Sequence, residues 1–138
     1  YEPGELKAIA YKNGKVWAEE VVKSMGEAVS LQASVDRSAI AADGSDLAFV
    51  TVRVSDGNGQ LVPRSNNPIT FSIEGPGEIV ATDNGDATDM VAFPSPERRA
   101  FNGLALVVVR FKPSAKSPMT IVAKSPGLKE ARLVVDVK

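Results

Sequence analysis

Asp83, Asp86 and Asp89 fall at every third position of the stretch Thr82-Asp83-Asn84-Gly85-Asp86-Ala87-Thr88-Asp89. An oxygen-rich loop with a central glycine is the kind of segment that wraps calcium, a hard cation taking about six to eight oxygen ligands. The spacing is not that of an EF-hand, which alternates its ligands and closes on a glutamate. The three aspartates are therefore weak calcium candidates only. The competing reading is a turn-rich loop whose carboxylates accept hydrogen bonds from neighbouring backbone N–H groups. Asp-Asn-Gly-Asp is ordinary turn chemistry, so no metal or cofactor is expected.

Other chemistry is thinner. Glycoside cleavage needs two carboxylates about 5 to 10 Å apart across a sugar site, and seventeen acidic residues single out no pair. Arg98-Arg99 beside Phe101 and Asn102 offers a small recognition patch for a carboxylate or a sugar; the plainer alternative is a charged entry to the next strand, paired with Glu97. The chain has no histidine and no cysteine. That removes Ser-His-Asp and Cys-His nucleophile pairs, thiolate zinc sites and disulfides. No catalytic residue is expected. Sugar-binding modules present rows of exposed aromatic rings, whereas the one tryptophan and both tyrosines here lie in the first 17 residues.

Sixteen basic and seventeen acidic side chains give a net charge of -1. Without a block of either sign there is no electrostatic footprint for nucleic acid or for an anionic membrane. The longest apolar run, Leu104 to Val109, is strand-sized, far short of the roughly 20 residues that cross a bilayer as a helix. Tyr1-Glu2-Pro3-Gly4 is neither a methionine start nor a signal segment, and reads as a piece cut or processed from a longer chain.

The elements that must position these residues are strands. Ala48, Val50, Val52 and Val54 alternate with polar neighbours, as do Ile69, Phe71 and Ile73; successive strand side chains point to opposite faces, so this is a sheet with one dry face and one wet face. Strands are predicted at Val29 to Val35, Leu47 to Asp56, Ile69 to Glu74, Glu78 to Ala81, Ala100 to Phe111, Met119 to Lys124 and Ala131 to Val137, separated by Gly-, Pro- and Asp-rich breaks. Seven short strands over roughly 100 residues suit an immunoglobulin-like sandwich. Before them, Glu5 to Tyr11 and Lys15 to Lys23 flank Asn13-Gly14, a strong hairpin signal. Two strands alone are marginal in water, so the hairpin needs a partner, and Tyr11 and Trp17 are the candidate interdomain contacts. The expected fold is all-β: a closing hairpin of a truncated neighbouring domain plus linker over residues 1–27, then an immunoglobulin-like antiparallel β-sandwich over residues 28–138. The long irregular segment Thr82 to Arg99 is where function is expected.

Several segments in order carry a family resemblance. YEPGELKAIAYKNGKVWAEE resembles the closing hairpin of an immunoglobulin-like domain of bacterial family 2 glycoside hydrolases of the β-galactosidase type. Asp36 to Val54 (DRSAIAADGSDLAFVTVRV) resembles the start of the C-terminal domain that follows it. Leu61-Val62-Pro63, Ile69-Thr70-Phe71, Gly75-Pro76-Gly77, Asn84-Gly85-Asp86, Ala100-Phe101-Asn102-Gly103 and Ser125-Pro126-Gly127-Leu128 continue the match. After Asp86 the loop reads Ala-Thr-Asp-Met-Val-Ala-Phe, a departure from the proline and histidine that the resemblance leads one to expect there.

The resemblance implies a parent enzyme acting on β-galactosides or related glycosides, with its catalytic glutamates on a barrel upstream and none here. It implies an accessory domain whose partners are other domains of the same chain, in a periplasmic or secreted setting. A homo-oligomer through the truncated hairpin and a weak carbohydrate contact are further expectations. The alternative readings are an invasin-type adhesin repeat, in which Val-Thr-Val-x-Val, an Asn-Gly turn and Val-Pro recur, and a carbohydrate-binding module.

Overall fold

In a computed structural model, which describes residues 4–138, every regular element is a strand. Strands β1 (Glu5–Lys12) and β2 (Lys15–Lys23) form an antiparallel hairpin. Asn13 and Gly14 both take positive φ, 52° and 74°, the conformation whose twist matches two flanking strands. Ala10 faces Ala18 but Tyr11 faces Val16, which leaves Trp17 as the extra residue of a bulge.

The remaining strands are β3 (Ser30–Val35), β4 (Ala39–Ile40), β5 (Ala48–Ser55), β6 (Pro68–Glu74), β7 (Gly77–Asp83), β8 (Glu97–Arg99), β9 (Leu104–Phe111), β10 (Met119–Lys124) and β11 (Ala131–Val137). They make a sandwich of two sheets. One runs β3-β5-β9-β7 and the other β4-β11-β10-β6-β8. Only the β4–β11 pair is parallel. The chain changes sheets between β3 and β4, so the first strand of the sandwich serves both layers.

The alternation read from the sequence sets the core. Ala48, Val50, Val52 and Val54 of β5 point inward with Val107, Val109 and Phe111 of β9. Ile69 and Phe71 of β6, Met119 and Ile121 of β10 and Val135 of β11 meet them from the other sheet. Phe49, Thr51 and Arg53 alternate outward. Each large apolar side chain removed from water contributes about 1.5–3 kcal/mol, so this seam holds the two layers together.

Three differences from the sequence reading have local causes. The strand expected over Ala100 to Phe111 is broken at Asn102-Gly103, where φ is 51° and 78°; Phe101 and Leu104 exchange backbone hydrogen bonds of 2.8 and 3.0 Å across the turn. Strands β4 and β8, of two and three residues, are too short to show a period. The hairpin has no cover within the described residues: every side chain of β1 is exposed, Leu6 at 74%, and Trp17 of β2 is exposed at 71%. Its two faces differ. Glu5, Lys7, Ile9, Glu19, Val21 and Lys23 share one face, which carries the ion pairs Lys7–Glu19 and Lys23–Glu5. Leu6, Ala8, Ala10, Ala18, Glu20 and Val22 share the other, apolar but for Glu20. The linker is tied to the sandwich by one contact, the Gly26 N–H donating to Asp56 Oδ2 at 2.8 Å.

Candidate interaction site at the Thr82 to Arg99 segment

Strand β7 is an edge of one sheet and β8 an edge of the other, and the segment between them crosses the open side of the sandwich. Its organiser is Arg98. Alternation along β8 leaves Glu97 and Arg99 outside and turns Arg98 inward to 3% exposure. A buried guanidinium needs acceptors for its five N–H groups, and all five are met. Nε donates to Thr82 Oγ1 at 3.2 Å. Nη1 donates to Asp89 Oδ2 at 3.1 Å and to the Val91 carbonyl at 2.9 Å. Nη2 donates to the carbonyls of Thr82 and Ala92 at 2.8 and 3.0 Å.

The aspartates finish the loop. Asp89 Oδ1 accepts from the Val91 N–H and Oδ2 accepts from Asn84 Nδ2 as well as Arg98. The Val91 N–H first, and then the Arg98 guanidinium, hold its carboxyl below the usual 3.8. Asp83 Oδ1 accepts from the N–H groups of Asn84 and Gly85, and Asp86 Oδ1 from the N–H and hydroxyl of Thr88. All three aspartates border one hollow of about 320 Å³, which Arg98 also lines. Among the described residues no group of three acidic side chains is placed to hold a metal ion.

Arg98 and Arg99, adjacent in sequence, part company. Arg98 pairs with Asp89, not with Glu97, because the strand alternation sends it into the protein. Arg99, Phe101 and Asn102 face outward and line a cleft of about 580 Å³ with Met90 and Arg64. Arg99 Nη1 donates to the Asn66 carbonyl at 3.0 Å. Arg64 and Met90 were not among the residues singled out from the sequence: one sits in the Pro63 to Pro68 break, the other in the long loop, and neither shows a period or motif. Tyr11 and Trp17 lie apart at the hairpin tip, 65% and 71% exposed, with Lys12 Nζ 5.6 Å from the Trp17 ring centroid.

This is an immunoglobulin-like sandwich with a preceding hairpin and a prestructured loop at one edge. Residues 31–134 match the model of glycoside hydrolase family 2 C-terminal domain 5, and the chain belongs to that family. It is 38% identical over all 138 residues to a β-galactosidase of Bacteroides ovatus, BoGH2A, of which it spans 16%. A family 2 glycosyl hydrolase of Bacteroides cellulosilyticus superposes on 100% of the chain with a TM-score of 0.93 at 29% identity, the chain spanning 18% of it. A C-terminal fragment of intimin shares the fold alone, with a TM-score of 0.51 and 19% identity over 83% of this chain and 33% of that one.

Proposed function

We propose that this chain is a non-catalytic accessory module of a larger glycoside hydrolase of the β-galactosidase type, working in the periplasm or outside the cell, and that it acts by packing against other domains of its own polypeptide. The observation that carries the reading is the pair of uncovered apolar surfaces, one on the hairpin and one beside the long loop. Leu6, Trp17 and Met90 are 74%, 71% and 92% exposed, an arrangement that suits domain interfaces of about 600–1,500 Å². Five of the seventeen acidic groups point the same way. A general acid needs a raised pKa, whereas Asp43, Asp46, Asp56, Asp89 and Glu130 are all shifted downward by hydrogen bonds to backbone or basic groups.

The test is deletion of residues 28–138 from the parent enzyme beside assays of the isolated chain. The expected result is a parent with lower thermal stability or altered assembly that still cleaves an aryl β-galactoside, and an isolated chain that cleaves nothing. Turnover by the isolated chain would overturn the reading. So would its retention on a polysaccharide column, or a parent made of tandem sandwiches without a barrel.

A further inference from the structure

The cleft beside the loop has an unusual electrostatic character for this surface. Arg37, Arg98, Arg110 and Arg132 all form ion pairs, and Arg53 donates to the Gln32 side-chain carbonyl. Arg64 and Arg99, which both line the cleft, form no ion pair among the described residues. Asp86 and Asp89 also border it, but Asp89 is neutralised by Arg98 and Asp86 caps Thr88. None of the described lysines or glutamates lines it. Within it Met90 stands 92% exposed, Val91 48% and Phe101 40%. Methionine, arginine and an aromatic ring without lysine or glutamate are features of a protein–protein interface core, set here among Ser65, Asp86, Asp89 and Ala100, types that such cores carry less often.

From this we infer that the cleft is a docking site for a carboxylate-bearing, apolar-faced surface of the same polypeptide outside these residues. The inference rests on the accessory-module reading and names its contact. The chain spans only 16–18% of the relatives above, so most of the polypeptide such a module would dock against lies beyond it. Two guanidiniums outside any ion pair line the cleft with Met90, Val91 and Phe101, and each offers planar, bidentate recognition of a carboxylate. A second copy meeting the cleft through a two-fold axis would set these guanidiniums against one another. A sugar would need a flat ring platform, whereas the most exposed group is the flexible thioether of Met90, which suits an irregular protein surface. The loop is already held by the five hydrogen bonds of Arg98, so docking orders little.

The experiment is photo-crosslinking in the full-length parent, with p-benzoylphenylalanine in place of Met90 and peptide mapping of the products. The expected product is an intramolecular crosslink to a peptide upstream of residue 1 that carries Asp or Glu. The paired variant R64E/R99E should reduce its yield several-fold, and R64K/R99K should retain part of it, while the thermal midpoint of the isolated chain stays unchanged for both. A crosslink to a second copy overturns the inference, as does the absence of any crosslink, or competition by an oligouronide that depends on Arg64 and Arg99. The two readings fail separately. A parent unaltered by deletion of residues 28–138 sinks the accessory role. A parent altered by the deletion but without the Met90 crosslink sinks only the cleft.

Discussion

The Arg98 guanidinium meets Thr82 twice, at its carbonyl over 2.8 Å and at its hydroxyl over 3.2 Å. Thr82 belongs to β7 and Arg98 to β8, edge strands of opposite sheets, so two side chains close the flank of the sandwich. The Thr82 hydroxyl passes the link onward by donating to the Ser95 carbonyl at 2.7 Å.

Arg98→Leu is therefore expected to be strongly destabilising. Removing one member of a buried charged network strands its partners, here a carboxylate and three carbonyls, and such changes cost about 3–5 kcal/mol. Arg98→Lys keeps the charge but cannot reach five acceptors, and should recover only part of the loss. Urea unfolding of both variants checks this. A loss below about 1 kcal/mol for the leucine variant would refute the organising role.

Acid should loosen the same region. The carboxyl of Asp89 titrates below 3.8 in the folded chain, so its contribution is present above that value and is lost as pH falls through the folded pKa. Asp43, Asp46 and Asp56 are shifted in the same direction by backbone N–H donors first. The urea midpoint should thus be flat from pH 7 to about pH 5 and fall below about pH 4. In Asp89→Asn that acid limb should be shallower.

Two glycines with similar φ separate strain from crowding. Gly103 (φ 78°) would place a Cβ 2.4 Å from the Val62 carbonyl oxygen, while Gly14 (φ 74°) has open space around it. Gly14→Ala should cost only the left-handed backbone penalty, about 1–2 kcal/mol, and only in the hairpin. Gly103→Ala adds a backbone clash and should exceed about 3 kcal/mol in the sandwich. Equal losses in denaturant titrations would contradict the turn geometry.

Asp56 ties the hairpin linker down. Its Oδ2 accepts from the Gly26 N–H and its Oδ1 from the N–H groups of Asn58 and Gln60 at 2.9 Å each. Asp56→Asn keeps one acceptor and turns the other into a donor facing an N–H. Amide exchange at Gly26 should accelerate on the order of tenfold while the β5 core amides barely change.

Trp17 reports on the hairpin alone, being the single tryptophan of the chain. At 71% exposure its emission in dilute solution should be red-shifted, readily quenched by iodide and little altered when urea unfolds the sandwich. Blue-shifted emission that reverts on dilution would instead show hairpins pairing between copies.

The alternation of Ala48 to Val54 and Ile69 to Ile73 was enough to predict the sandwich, because a strand's inward face is decided two residues at a time by local polarity. Asn13-Gly14 marked its turn for the same local reason. Asn102-Gly103 has the same chemistry, but the apolar run after it, Leu104 to Val109, read as one long strand with Ala100 and Phe101. Phe101 and Leu104 close that turn, and distant partners anchor it: the Gly103 N–H donates to the Ser65 carbonyl and its own carbonyl accepts from the Val54 N–H.

The candidate site divides along the same line. Sequence determined that Arg98, Arg99, Phe101 and Asn102 are neighbours and that the aspartates lie in a turn-rich loop, since both follow from adjacency and residue type. Tertiary structure decided that Arg98 is buried with Asp89 while Arg99 joins Arg64 and Met90 at an open cleft. The Arg98–Asp89 contact spans 9 residues, and the bond from Arg99 to the Asn66 carbonyl, beside Arg64, spans 33. They depend on which sheet each strand enters, and no local pattern encodes that.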